Sequence, residues 1–228
     1  MRHVNSSPTR DIILEVAEEM FAQRGYRGVS VREITRACDV NTAAIHYHFG
    51  SKQALLEEIF VRRCLPMNAE RLRLLGECRE GPGRPPILEQ ILEAYLRPSL
   101  IWPNEPAGAR HFLKLRAILG VEQEDLARDL IARHFDHVSR RFIDALIRTL
   151  PEISPEDVYW RVHFLHGAQY YTLLNPGRIR DLSSGACNPA EFETALRRIV
   201  SFFAVGLCLR SDSHAPAGDA LQEPIGDS

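Results

Sequence analysis

The chain has almost no net charge, because its 28 lysines and arginines are nearly cancelled by 30 aspartates and glutamates. That balance removes any global electrostatic argument for a polyanionic partner, so a nucleic-acid site would have to rest on local geometry. Cysteine is scarce: Cys38, Cys64, Cys78, Cys187 and Cys208 are odd in number and show no C-x-x-C spacing, which argues against a zinc ribbon or a disulfide framework. The longest nearly apolar run, Ile199 to Leu209, falls short of the roughly 20 residues that cross a bilayer. At the amino terminus, Glu15, Glu18 and Glu19 interrupt a short apolar stretch that would otherwise resemble the core of a signal peptide. There is also no G-x-S-x-G elbow, no glycine-rich phosphate loop and no paired-carboxylate signature. These absences lead us to expect a cytoplasmic protein that has no membrane partner, is not an enzyme, and has neither catalytic residues nor a cofactor.

What is present is core material and helical pattern. Hydrophobic residues make up 45% of the chain and charged residues 25%, enough apolar side chain to build a sizeable interior. Nearly every segment has helical periodicity, and none sustains the alternation of a strand. Ser7-Pro8 opens a first helix, in which Ile12, Ile13, Val16, Ala17, Met20 and Phe21 form the apolar face and Gly25 marks the stop. Ser30 and Glu33 have the spacing of a capping box, which predicts a second helix over about 31–38 with Val31 and Ile34 inward. Asp39 and Val40 make a turn. Asn41 then caps a third helix that Gly50 ends, and Ser51 caps a fourth starting at Lys52.

The third helix, TAAIHYHF, has two sides of different character. At about 100° per residue, Ile45, Phe49 and Thr42 fall on one flank, while Ala43 and Tyr47 point the opposite way with His46 and Ala44 beside them. Small side chains on that outer face let a backbone approach a second surface closely, and alanine methyls can meet thymine methyls in a major groove. Tyr47, His48 and Lys52 place donors where a phosphate is favoured, at the end of one helix and the start of the next. Two helices joined by a short turn, the second presenting such a face, form a helix-turn-helix.

The stretch MFAQRGYRGVSVREITRACDVNTAAIHYHFGSKQALLEEIF resembles the N-terminal DNA-binding domain of the TetR family of bacterial transcription regulators. The likeness covers roughly residues 9–60 and runs through Phe21, Gly25, Gly28, Ser30, Val31, Ile34, Val40 and the Tyr47-His48-Phe49-Gly50-Ser51-Lys52 block. It implies that Thr42, Ala43, Ala44 and His46 meet bases or adjacent backbone, while Tyr47, His48 and Lys52 hold phosphates. It also implies an all-α protein with a helix-turn-helix domain at 1–54 and a larger helical effector-binding and dimerisation domain at 55–210. The tail at 211–228 lacks a sustained apolar pattern and is rich in small residues, proline and acids, so it is expected to be disordered. The partners implied are a double-stranded palindromic DNA operator, a second copy of the chain as a homodimer, and a small hydrophobic effector that releases a repressor. The local charge is modest, with seven basic side chains against six acidic ones in residues 1–53. The rival reading is a helical protein-interaction module that has lost DNA binding.

Beyond the Gly81–Pro86 loop, apolar stripes predict helices near 87–97, 109–119, 122–149, 155–175 and 189–209. Trp160, His163, Phe164, Gly167, Tyr171 and Leu174 share one face of the fourth of these, and the last carries Phe192, Leu196, Ile199, Phe203 and Gly206. Helices apolar nearly all round need cover on both sides, so Trp160, Phe164, Gly167, Tyr171 and Leu174 with Phe192, Leu196, Ile199, Phe203 and Gly206 are expected at a four-helix dimer interface. Candidate effector-lining residues are Trp102, His111, Phe112, Leu115 and Phe135, together with Val138, Phe142, His163, His166 and Tyr170. His134/His137 and His163/His166 have i, i+3 spacing but no carboxylate or cysteine partner at ligand spacing, so no metal site is expected. Pro66 should kink the fourth helix. Cys38, beside the helix-turn-helix turn, would sense oxidation only if its thiolate were stabilised.

Overall fold

The computed structural model describes residues 8–83, 87–100, 106–174, 176–189 and 191–210. The expected cap Ser7, the tail beyond residue 210 and Trp102 lie outside them. All the regular structure described is helical: α1 Pro8–Arg24, α2 Val31–Ala37, α3 Thr42–Phe49, α4 Lys52–Glu77, α5 Ile87–Leu100, α6 Pro106–Glu122, α7 Glu124–Thr149, α8 Pro155–Leu174, α9 Pro176–Leu182 and α10 Phe192–Cys208.

The first four helices begin and end at residues whose chemistry fits each boundary. Gly25 closes α1 in the left-handed region at φ 79°, and Gly50 closes α3 at the same φ. Ser30 Oγ accepts from Glu33 N–H at 3.3 Å while Ser30 N–H donates to Glu33 Oε2 at 2.8 Å, a reciprocal cap on α2. Asn41 Oδ1 accepts from Ala43 N–H at 2.9 Å, and Ser51 Oγ from Ala54 N–H at 3.0 Å. The turn between α2 and α3 passes through Asp39 at φ 52°. On α1, Leu14 is buried and Ile12 is exposed, which corrects the expected apolar face by one position.

Further along, α4 runs through Pro66 as one continuous helix, and a second proline, Pro98, lies inside α5. The Ser154-Pro155 start is observed, with Ser154 Oγ accepting from Asp157 N–H at 3.1 Å. The last helix begins later than Pro189, because Asn188 and Glu191 are used in a turn before Phe192. The short helix α9 was not expected from the sequence. Its segment, PGRIRDL, opens on a breaker pair and offers only Ile179 and Leu182 as large apolar residues, both exposed.

Two apolar cores hold the molecule together. One joins α1, α2 and α3 to the first half of α4, to Phe112, Leu115 and Leu119 of α6, and to Ala127, Leu130 and Phe135 of α7. Phe60 stands edge-on to Phe112 at 5.1 Å at its centre. The other fills the space among α5, the second half of α7, α8 and α10. Between α1 and α4 a buried ion pair fixes the crossing, with Arg63 Nε and Nη2 donating to the Glu18 carboxylate at 2.9 and 2.8 Å. Residue 54 marks no gap in this packing, since Leu55, Leu56, Ile59 and Phe60 continue the first core.

Candidate functional site

Burial separates the two faces of α3. Ile45 is sealed and Phe49 is 9% exposed, so these two anchor the helix in the first core. On the other side Ala43 and His46 are exposed and Tyr47 is 86% exposed. Thr42, Ala44 and His48 occupy the flanks, half-buried, with the His48 ring edge-on to Tyr47 at 5.0 Å. His46 Nδ1 lies 3.0 Å from the Gly50 carbonyl, a contact in which the carbonyl accepts and which fixes the ring at the end of the helix. The helix thus offers a phenol, an imidazole edge and a bare methyl to whatever docks there.

Lys52 has a further task. Its ammonium donates to the Tyr26 carbonyl at 2.5 Å and sits 4.2 Å over the Tyr26 ring and 5.6 Å over Phe21. It therefore fastens the start of α4 to the loop after α1, and burial draws its pKa down against the opposing pull of Glu122 and Glu33. Burial pushes the Cys38 thiol up, away from the stabilised thiolate that oxidation sensing would need.

The expected effector lining is dispersed. Phe112, Leu115 and Phe135 are packed with Phe60 in the first core, where each fills space that the helix-turn-helix needs. Val138 and Phe142 belong to the second core, His163 is exposed, and His111 is half-buried. His166 and Tyr170 belong to a cluster of polar side chains that also contains Arg71, Tyr95, Ser99, Arg116 and Gln169, and the rings of Phe135 and Phe142 border it against Arg116 and Tyr95. Sequence reading missed the five that join His166 and Tyr170 in the cluster because each sits singly within an apolar or charged helical stripe, and periodicity does not report which arginine turns inward.

Of the residues expected at a dimer interface, Trp160, Phe164, Gly167 and Tyr171 are exposed along α8. Leu174, Phe192, Ile199 and Gly206 are half-buried. Leu196 and Phe203 require correction, since they face the protomer's own second core at 1% and 8% exposure. The outward positions on α10 are Phe202 and Val205, and on α8 Tyr159 joins the exposed row. No helix among the described residues is long and apolar enough to cross a membrane. Nor do three or more metal-ligating side chains gather among them.

Comparison with known proteins gives the same picture. Residues 93–206 match the family model of the tetracyclin repressor-like C-terminal domain, and residues 13–59 match that of the bacterial regulatory proteins of the tetR family. The HTH-type transcriptional regulator UidR of Escherichia coli is 27% identical over 154 residues, 66% of this chain and 72% of that protein. The HTH-type transcriptional repressor KstR2 of Rhodococcus jostii is 36% identical over 53 residues, 23% of this chain and 26% of its own. A TetR-family transcriptional regulator from Bordetella parapertussis, solved by crystallography, shares the fold at a TM-score of 0.61 and 21% identity, over 85% of this chain and 95% of that one. With residues 13–59 and 93–206 matched by the N- and C-terminal domains of one family, the chain belongs to the TetR family of bacterial transcriptional regulators.

Proposed function

We propose that the protein is a dimeric repressor that lays α3 into the major groove of a palindromic double-stranded operator and is released when a small molecule enters the body formed by residues 55–210. The observation that carries this reading is the asymmetry of α3: Ile45 and Phe49 are spent on the core, while Tyr47 and Ala43 stand clear of the protein. Thr42, Ala44 and His46 border the approach to the bases, and Tyr47, His48 and Lys52 serve phosphates on either side. Alanine at 43 and 44 leaves few hydrogen bonds to base edges, so much of the sequence preference comes from groove shape. Support for the dimer comes from the exposed aromatic row on α8 and the outward Phe202 and Val205 on α10, an apolar surface that a second copy would cover.

The test is fluorescence anisotropy on a labelled fragment from upstream of the protein's own gene. Tyr47→Ala should lose affinity by roughly tenfold or more, the scale of one charge-assisted hydrogen bond, at an unchanged thermal midpoint, because the side chain touches little of the fold. A variant that binds as tightly as the parent would sink the assignment. Lys52→Ala is the weaker probe, since removing the amine also releases the Tyr26 loop.

A further inference from the structure

We propose that the effector is a small organic anion with an apolar body, and that its charged group is held between Arg71 of α4 and Arg116 of α6; this rests on the reading of the protein as a ligand-released regulator. Arg71 is 3% exposed. Its Nε donates to the Tyr95 carbonyl at 2.8 Å, its Nη2 reaches Ser99 Oγ at 3.4 Å, and its guanidinium lies 4.3 Å from the Tyr95 ring centre. The Arg116 guanidinium is packed on aromatic rings, 4.3 Å from Phe135 and 5.3 Å from Tyr170, and its Nε is sealed from solvent with no hydrogen-bond partner. Neither arginine forms an ion pair among the described residues.

That is unusual within this molecule. Where a guanidinium is buried for architecture, as in Arg63, a carboxylate neutralises it. Elsewhere Arg10, Arg24, Arg62, Arg97 and Arg133 all meet acids. A buried cation without a counter-charge is costly, fully so for Arg71 and in part for the half-buried Arg116, and a well-placed anion offsets that cost. Both arginines act on the same neighbours. Burial holds His166 down to about 4, and Arg71 and Arg116 both add to that depression, so the imidazole is neutral. The Tyr95 hydroxyl shares a 2.6 Å hydrogen bond with His166 Nε2, and the Gln169 amide donates to Ser99 Oγ. The cluster is therefore rich in donors and has no carboxylate of its own.

The apolar half of the ligand would have to part a seam that is closed here to little more than the width of a water. On the side of Tyr95 towards α7 and α8 lies a narrow apolar cleft lined by Leu92, Phe142, Leu146, Val162 and Leu165. A planar carboxylate or a phosphate monoester suits the paired forks of two arginines, while the ring or alkyl chain lies along Tyr95. The two cations stand on helices that reach the DNA-binding head. Arg71 shares α4 with Lys52, and six residues beyond Arg116 the Glu122 carboxylate accepts from Arg27 N–H at 3.2 Å. An anion that draws the two guanidiniums together favours one spacing of α4 and α6, which is the differential binding that a switch requires.

The experiment uses the full chain, thermal-shift titration and operator anisotropy, with octanoate, benzoate, phenyl phosphate and inorganic phosphate as charged probes and octanamide and benzyl alcohol as neutral ones. At least one organic anion should raise the thermal midpoint and release DNA while its neutral counterpart does neither, and Arg116→Met should cut its affinity at least tenfold. A response to benzoate and octanoate but not phenyl phosphate assigns a carboxylate; the reverse assigns a phosphate monoester. Without ligand, Arg116→Met should raise the midpoint, because it removes an uncompensated charge and keeps the packing of the stem. The proposal is overturned if Arg116→Met lowers that midpoint, if neutral probes act equally well, if inorganic phosphate alone reproduces the effect, or if all the probes are silent. Release of DNA by a neutral molecule would leave the regulator standing and remove only the anion. Arg116-dependent binding in a protein that ignores DNA would remove only the regulator.

Discussion

Single side chains hold much of the reading head in shape, and Glu33 shows how far this goes. Its carboxylate receives hydrogen bonds from Arg24, at 2.5 Å, and from both the hydroxyl and the backbone N–H of Ser30. Arg24 foremost, then Ser30, holds the Glu33 pKa down to about 2 against an ordinary 4.5. A depressed carboxylate pKa favours the fold above the unfolded value, and the benefit disappears as pH falls through the folded value. Urea unfolding of the parent and of Glu33→Gln should therefore differ by a constant amount above pH 4.5 and converge between pH 4.5 and 2. A gap that stays constant down to pH 2 would mean that the Arg24 and Ser30 contacts leave the carboxylate's titration where it is in the unfolded chain.

Among the elements, the join between α1 and α6 is the most exacting. Gly25 is buried, sits at φ 79°, and would place any Cβ into the Glu122 carboxylate. Gly25→Ala pays chiefly for left-handed backbone, about 1–2 kcal/mol, because the Glu122 carboxylate is the far end of a flexible side chain and can swing aside. Equilibrium unfolding should show a loss of about that size, and adding Glu122→Ala should recover little of it. The glycine was legible in the sequence as a helix stop, but its partner 97 positions away was not, because periodicity reports which way a residue faces and not what it meets. For the same reason the caps at Ser30, Asn41 and Ser51 were readable, being settled within four residues. The assignment of Leu196 and Phe203 to an outer surface failed because α10 has apolar residues on both sides and only tertiary packing says which side is inside. Arg71 and Arg116 were silent in the sequence, and the aromatics that looked like a ligand lining, Phe112 and Phe135, belong to the core beneath the head.

At the scale of the whole molecule, the uncovered aromatics are the surface on which the proposed dimer would form. Phe164 on α8 is 57% exposed and Phe202 on α10 is 72% exposed, and a charge at either would be buried unpaired in a dimer. Phe164→Asp with Phe202→Asp should elute as a monomer at concentrations where the parent is a dimer, keep its circular dichroism spectrum, and lose operator affinity by more than any single change on α3. Co-elution with the parent would place the contact between copies elsewhere. The core that runs from Ile45 through Phe60 to Phe112 and Phe135 has one more consequence. A head mortised into its body in this way moves only when that body changes shape, so without effector a dimer built from two such chains would grip like a fixed-jaw gauge. A palindrome lengthened by one base pair, moving its far half by about 3.4 Å and turning it around the duplex, would no longer seat both jaws.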